Sequence, residues 1–117
     1  MDPFTIAYIE AALWSSTDNS DDSGGRPLDA NYGVEDFAAE TMASILDDCK
    51  AFQETYAEEV CGNIEQAGHD FWLTRNRHGA GFFDGDWQAD VCARLTEASH
   101  AYGSVDLYVG DDGLIYS

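Results

Sequence analysis

The chain has 117 residues, the usual size of a single domain, and 44% of them are hydrophobic, with three Trp, six Phe and six Tyr. That apolar mass excludes a disordered acidic tail and lets one core form without metal or disulfide staples. Twenty-three Asp and Glu oppose five Lys and Arg, a net charge of −18. Such a field repels phosphates and anionic headgroups and attracts basic surfaces over a Debye length of ~8–10 Å.

The first element reads as a helix. Asp2-Pro3 places a capping side chain before a proline at the first helical position. Phe4, Tyr8 and Ala12 then recur every four residues, flanked by Ile6, Ile9 and Leu13, and the helix should end near Trp14. Residues 15–33 are rich in turn formers and read as one long loop, anchored only by Leu28 and Tyr32.

From Val34 a helical stripe advances by threes and fours through Phe37/Ala38, Met42, Ile45, Cys49, Phe52, Tyr56 and Val60. It continues to Cys61 or beyond, with room for a bend near Ala38–Glu40, and Gly62 or Gly68 can end it. Next, His69–Thr74 and Ala80–Phe83 read as two strands of a hairpin about Arg75-Asn76-Arg77-His78-Gly79. An aspartate of Asp84-Gly85-Asp86 should cap a helix that carries Trp87, Val91, Leu95, Ala98 and Tyr102 and closes at Gly103. Residues 105–116 read as a second hairpin about Gly110-Asp111-Asp112-Gly113. The expected fold is therefore one α+β domain over 1–117: three main helices packed on one face of a small antiparallel sheet of about four strands, in two hairpins.

Cys49, Cys61 and Cys92 form no CxxC pair and sit among apolar residues at helical spacing, so buried free thiols are expected. No basic stretch precedes an apolar one, and no apolar run approaches the ~20 residues that cross a bilayer. These features suit a cytoplasmic protein with no membrane partner. Arg26, Lys50, Arg75, Arg77 and Arg94 are scattered, which argues against direct nucleic-acid binding.

Charge is uneven: residues 1–66 carry fifteen acids and two bases, net −13, against eight and three, net −5, in 67–117. The carboxylates Glu35, Glu40, Asp47, Asp48, Glu54, Glu58 and Glu59 occupy one side of the long helix, broken only by Lys50. Exposed helices ordinarily mix signs for support between turns. A lysine-poor row can stand in for the phosphates of a duplex, so these residues, with Asp18, Asp21 and Asp22 of the loop, form the candidate surface for a protein partner with a basic nucleic-acid-binding cleft. A plain solvated face serving solubility, on a structural or oligomeric domain, is the alternative.

No catalytic, metal or cofactor set is expected. Asp18-x-Ser20-x-Asp22-x-Gly24 with Asp29 is a poor match to a calcium loop, since Ser23 replaces the turn glycine and Asp29 is too short for bidentate reach. His69-Asp70 with His78 is the constellation an alternative metal-binding or hydrolytic reading would use, although no nucleophile stands in fixed relation to it. Trp72, Trp87, Phe82 and Phe83 read as core rather than as a platform.

Ala67-Gly68-His69-Asp70-Phe71-Trp72-Leu73-Thr74-Arg75-Asn76, continuing His78-Gly79-Ala80-Gly81-Phe82, resembles a segment shared by small uncharacterised phage and prophage proteins. Glu10–Ser16, Pro27–Tyr32, Leu95–Ala98 and Ala101–Gly103 extend the likeness along most of the chain. Arg77, Phe83 and Gly85-Asp86-Trp87-Gln88 depart from the pattern. The resemblance implies a host-directed inhibitor, similar to the acidic DNA mimics among anti-CRISPR and anti-restriction proteins.

Overall fold

A computed structural model describes residues 1–18, 26–77, 81–84 and 87–117. Helices carry the fold: α1 (Pro3–Ser15), α2 (Ala39–Thr55), the short α3 (Ala57–Val60), α4 (Ile64–Arg75) and α5 (Ala89–Tyr102). Single 3-10 turns lie at Leu28–Ala30, Val34–Asp36 and Phe82–Asp84. Two antiparallel pairs of two-residue strands complete the described residues: β1 (Thr17–Asp18) with β2 (Arg26–Pro27), and β3 (Tyr108–Val109) with β4 (Ile115–Tyr116). The α+β expectation of helices on a four-stranded sheet is thus wrong. The molecule is a helical assembly with two small ribbons on it.

The largest departure lies at α4. His69–Thr74, read as a strand, is the middle of α4, and Phe82, read in its partner, lies in a 3-10 turn. Helix α4 runs through the centre of the molecule, and every residue from Ala67 to Arg75 except His69 is buried. A helix buried all round shows no polar face, so its short apolar run carries no period to separate it from a buried strand. Its neighbours close over it with aromatic rings. Phe71 stacks on Phe52 of α2 with centroids 4.2 Å apart, and Tyr8 of α1 meets Trp72 edge-on at 5.4 Å. Phe4, Phe82 and Leu95 belong to the same core.

Among the described residues of 15–33, read from the sequence as one long loop, lie the end of α1, the β1–β2 ribbon and a 3-10 turn, because the chain pairs with itself across the turn formers. Helices α1 and α5 follow their sequence signals more closely. The Asp2 carboxylate accepts from the Thr5 amide at 2.9 Å and Pro3 opens α1, as a capped start requires. Gly103, with φ of 79°, closes α5. The residue at the α5 N-cap is Gln88 rather than an aspartate.

The expected long helix is divided. Phe37 bridges to Ile115, and the Ala38 amide donates to the Ile115 carbonyl at 2.9 Å, which holds 37–38 extended until α2 begins at Ala39. At the other end Tyr56 leaves helical geometry, with ψ of 29°, before α3.

Candidate functional site

On α2 the side chains of Thr41, Ile45, Cys49 and Phe52 enter the core. Glu40, Asp47 and Glu54 are exposed on the opposite face, each seven residues from the next. Seven residues are two turns and ~10.5 Å of helix, so the three carboxylates form a straight stripe. Lys50 is exposed beside it. Among the described residues the ion pairs are His69–Asp70, Arg75–Asp48 and Arg94–Asp90, so Lys50 pairs with none of the stripe.

The remaining predicted residues do not continue this line. Glu35 stands on the 3-10 turn before α2, and Glu58 and Glu59 stand on α3, beyond the break at Tyr56. Asp18 belongs to β1, while Asp21 and Asp22 lie outside the described residues, as do most of the calcium-like segment and His78.

Asp48 is turned inward. Its Oδ2 accepts from Arg75 Nη1 at 2.9 Å. Arg75 is 3% exposed, and its guanidinium also donates to the Tyr8 hydroxyl (3.0 Å), the Gly103 carbonyl (2.8 Å) and the Tyr102 carbonyl (3.1 Å). It lies over the Phe71 and Tyr102 rings, 5.4 and 5.6 Å from their centroids. Desolvation at this place raises the Tyr8 phenol far above its ordinary value, against the opposing pull of Arg75.

His69 and Asp70 do meet, Nδ1 to Oδ1 at 3.2 Å. The buried Asp70 carboxyl also accepts from Trp87 Nε1 at 2.9 Å and Gln66 Nε2 at 2.8 Å. His69 stacks on Trp14, centroids 5.8 Å apart, in mid-helix rather than at a strand start. These contacts tie α1, α4 and the segment before α5 together. Among the described residues no three His, Cys, Asp or Glu side chains are grouped as a metal would need.

Other side chains of α4 and the turn after it make further ties of this kind. Trp72 Nε1 donates to Ser15 Oγ (2.7 Å), and Thr74 Oγ1 accepts from the Phe82 amide (3.1 Å). Asn76 Oδ1 accepts from the Val105 amide (2.7 Å). Gly68 lets the Phe4 carbonyl lie against α4. Phe71, Trp72 and Phe82 are buried, whereas Phe83, read from the sequence as core, is 71% exposed.

The three thiols differ. Cys49 is fully buried, and desolvation pushes it up to about 12. Cys92 is half-buried with Sγ on the Phe82 carbonyl at 3.2 Å, whereas Cys61 is exposed, against the expectation that all three are buried. An aromatic disulfide reagent applied to native protein should therefore label Cys61 fast and Cys49 only after unfolding. Equal rates at both would contradict the packing.

One feature has no counterpart among the sequence-predicted residues. Tyr108 and Tyr116 face each other directly across the β3–β4 ribbon, rings stacked with centroids 5.8 Å apart. The Tyr116 hydroxyl donates to Asp112 Oδ2 at 2.6 Å, and Asp112 Oδ1 accepts from the Leu114 amide at 3.0 Å. Gly110 makes this possible, since a Cβ there would sit 2.7 Å from the Tyr116 ring. Two tyrosines flanking a Gly-Asp-Asp-Gly turn were the available signal.

The Tyr116 bond, then the Leu114 amide, hold the Asp112 carboxyl below its usual range, and the same bond raises the Tyr116 phenol. The bond's contribution is present above the ordinary Asp pKa of ~3.9 and is lost as pH falls through the lower folded value. On the alkaline side it is whole below the ordinary Tyr pKa of ~10 and lost as pH rises through the folded one. An NMR titration of the Asp112 side-chain carbon should give a midpoint below that of a model aspartate, and a midpoint at or above it would contradict this geometry.

No protein-family model matches this chain, and no curated protein or solved structure matches it either.

Proposed function

We propose that the protein is a phage-type inhibitor that acts in the host cytoplasm, where it occupies the nucleic-acid cleft of a host restriction or CRISPR complex through its acidic surface. The observation that carries this reading is the α2 stripe of Glu40, Asp47 and Glu54, exposed opposite the core-packed face, in a chain of net charge −18. Carboxylates on a stiff, well-packed helix keep their spacing on approach to a basic cleft. They therefore contribute to steering and to competition with phosphates rather than to solubility alone. The resemblance of residues 67–82 to phage proteins supports the choice of target class. No helix among the described residues is long and apolar enough to cross a membrane.

The direct test is displacement of labelled duplex DNA from purified restriction and CRISPR effector complexes, followed by fluorescence anisotropy. Displacement from at least one complex, weakening steeply between 50 and 200 mM salt as counterion-linked binding does, is expected. Lack of displacement from all of them at low salt would leave an acidic domain without this function.

A further inference from the structure

The same acidic surface has an aromatic end. Helix α2 begins against β4: the Ala38 amide bonds the Ile115 carbonyl, and Glu40 is close enough to Tyr116 to raise its phenol electrostatically. Tyr108, Gly110, Asp111, Asp112 and Tyr116 line an open cleft of about 320 Å³ there. Tyr108 is 55% exposed, and Asp111 and Asp112 are both exposed.

We propose that this cleft is a docking point for one arginine side chain of the protein partner, with the guanidinium held over the Tyr108–Tyr116 rings and facing the carboxylates of Asp111 and Asp112. The inference rests on the inhibitor reading for its partner, and on the hairpin geometry for its chemistry. A cation is attracted to the face of a tyrosine ring by the ring quadrupole. Donation of the Tyr116 hydroxyl to a carboxylate pushes electron density into the ring and strengthens that attraction. Arginine fits better than lysine, because its planar group stacks on the rings while its edge donates to a carboxylate.

Charge complementarity selects this occupant. The exposed carboxylates of Asp111 and Asp112 line the cleft, and α2 brings Glu40 near β4, in a chain with 23 acids and 5 bases. Interfaces draw much of their affinity from a few aromatic and arginine anchors, while rim charges govern approach. On this reading Glu40, Asp47 and Glu54 steer, and the tyrosine pair anchors.

A blocked Gly-Arg-Gly peptide, titrated into the whole protein and followed by NMR, tests the cleft without any knowledge of the partner. Saturable shifts of the Tyr108 and Tyr116 ring protons and of the Asp111 and Asp112 amides are expected. Affinity should fall about five- to tenfold in Tyr108→Ala and in Asp112→Asn, as loss of one cation–ring or charged contact implies. Tyr108→Phe, which keeps the ring, should bind nearly as wild type. The Phe37 and Ile115 resonances report whether the ribbon survives each substitution.

Several outcomes would overturn the proposal: no saturable shift in wild type, equal binding of the citrulline peptide, or tighter binding of choline than of the arginine peptide. A tyrosine pair that only braces the ribbon gives the first of these. The DNA-displacement assay reads the inhibitor function separately, so loss of one result does not entail loss of the other.

Discussion

Arg75→Ala should cost about 3–5 kcal/mol of folding stability, because it leaves several acceptors in and around the core without their donor, at about 1–3 kcal/mol each. The guanidinium serves four acceptors at once: the Asp48 carboxylate, the Tyr8 hydroxyl and the carbonyls of Tyr102 and Gly103. Without it, two carbonyls at the end of α5 and a buried phenol lose their donor in a place where water does not readily replace it. Native domains are stable by only ~5–15 kcal/mol, so a large part of the total is at stake. The expected fall in Tm is roughly 10–20 °C. Arg75→Lys should recover only part of the loss, because a single ammonium cannot reach the span of a fork. Asp48→Asn should be the mildest of the three, since the Asp48 side chain is 36% exposed. Calorimetry of the three variants checks the order. A loss at Asp48 as large as that at Arg75 would mean that the ion pair alone, rather than the set of acceptors, holds the site.

Gly68→Ala should destabilise, although helix propensity favours alanine by ~1 kcal/mol. The substitution falls inside α4, where an added Cβ would lie within the van der Waals shell of the Phe4 carbonyl oxygen. The obstacle is backbone, so no side chain can rotate away, and α1 and α4 must separate along their most extensive contact. Overpacking of this kind costs about 1–3 kcal/mol, and here the expected net loss is ~2 kcal/mol. Gly103 provides the contrast. A Cβ there meets nothing within 4 Å, and only its φ of 79° opposes substitution. Chemical denaturation and the ring-current shifts of the Tyr8–Trp72 pair read both effects. A Gly68→Ala protein as stable as wild type, with those shifts unchanged, would contradict the close approach of the two helices.

The contrast between α1 and α4 explains what the sequence can and cannot reveal. Asp2-Pro3 and the spacing of Phe4, Tyr8 and Ala12 announce α1, because one face of that helix meets solvent at Ile6, Glu10 and Trp14. Helix α5 and the ribbon of Tyr108 and Tyr116 are legible for the same reason: each has a wet side, or a turn with its own chemistry. Helix α4 has no wet side from Phe71 to Arg75, so its polar residues look like breaks in a strand. Their partners Ser15, Asp48 and Gly103 are remote in the chain, and no local pattern points to them.

The acidic surface was legible to a similar extent. Spacing alone identifies Glu40, Asp47 and Glu54 as one stripe. Asp48, seven residues after the core-facing Thr41, falls on the inner side of the helix, where Arg75 meets it. Glu58, four residues after Glu54, would continue the stripe on an unbroken helix, but the turn at Tyr56 puts it with Glu59 on α3, and the Phe37–Ile115 bridge leaves Glu35 on a separate turn. The tyrosine ribbon beside Glu40 depends on a contact between the start of α2 and the last strand, which sequence distance hides.

On the proposed function, position rather than total charge makes the α2 carboxylates bind. Two variants with the same change in charge separate these ideas in the DNA-displacement assay: Glu40→Lys/Asp47→Lys/Glu54→Lys on α2, and Asp90→Lys/Glu97→Lys/Asp106→Lys on and after α5. All six side chains are exposed, so both proteins should fold. The α2 variant should lose displacement by a factor of about a hundred or more, at ~1 kcal/mol or somewhat more per reversed contact, while the α5 variant keeps most of it. Equal loss in both would show that bulk charge acts alone, and full activity in the α2 variant would remove the stripe from the mechanism.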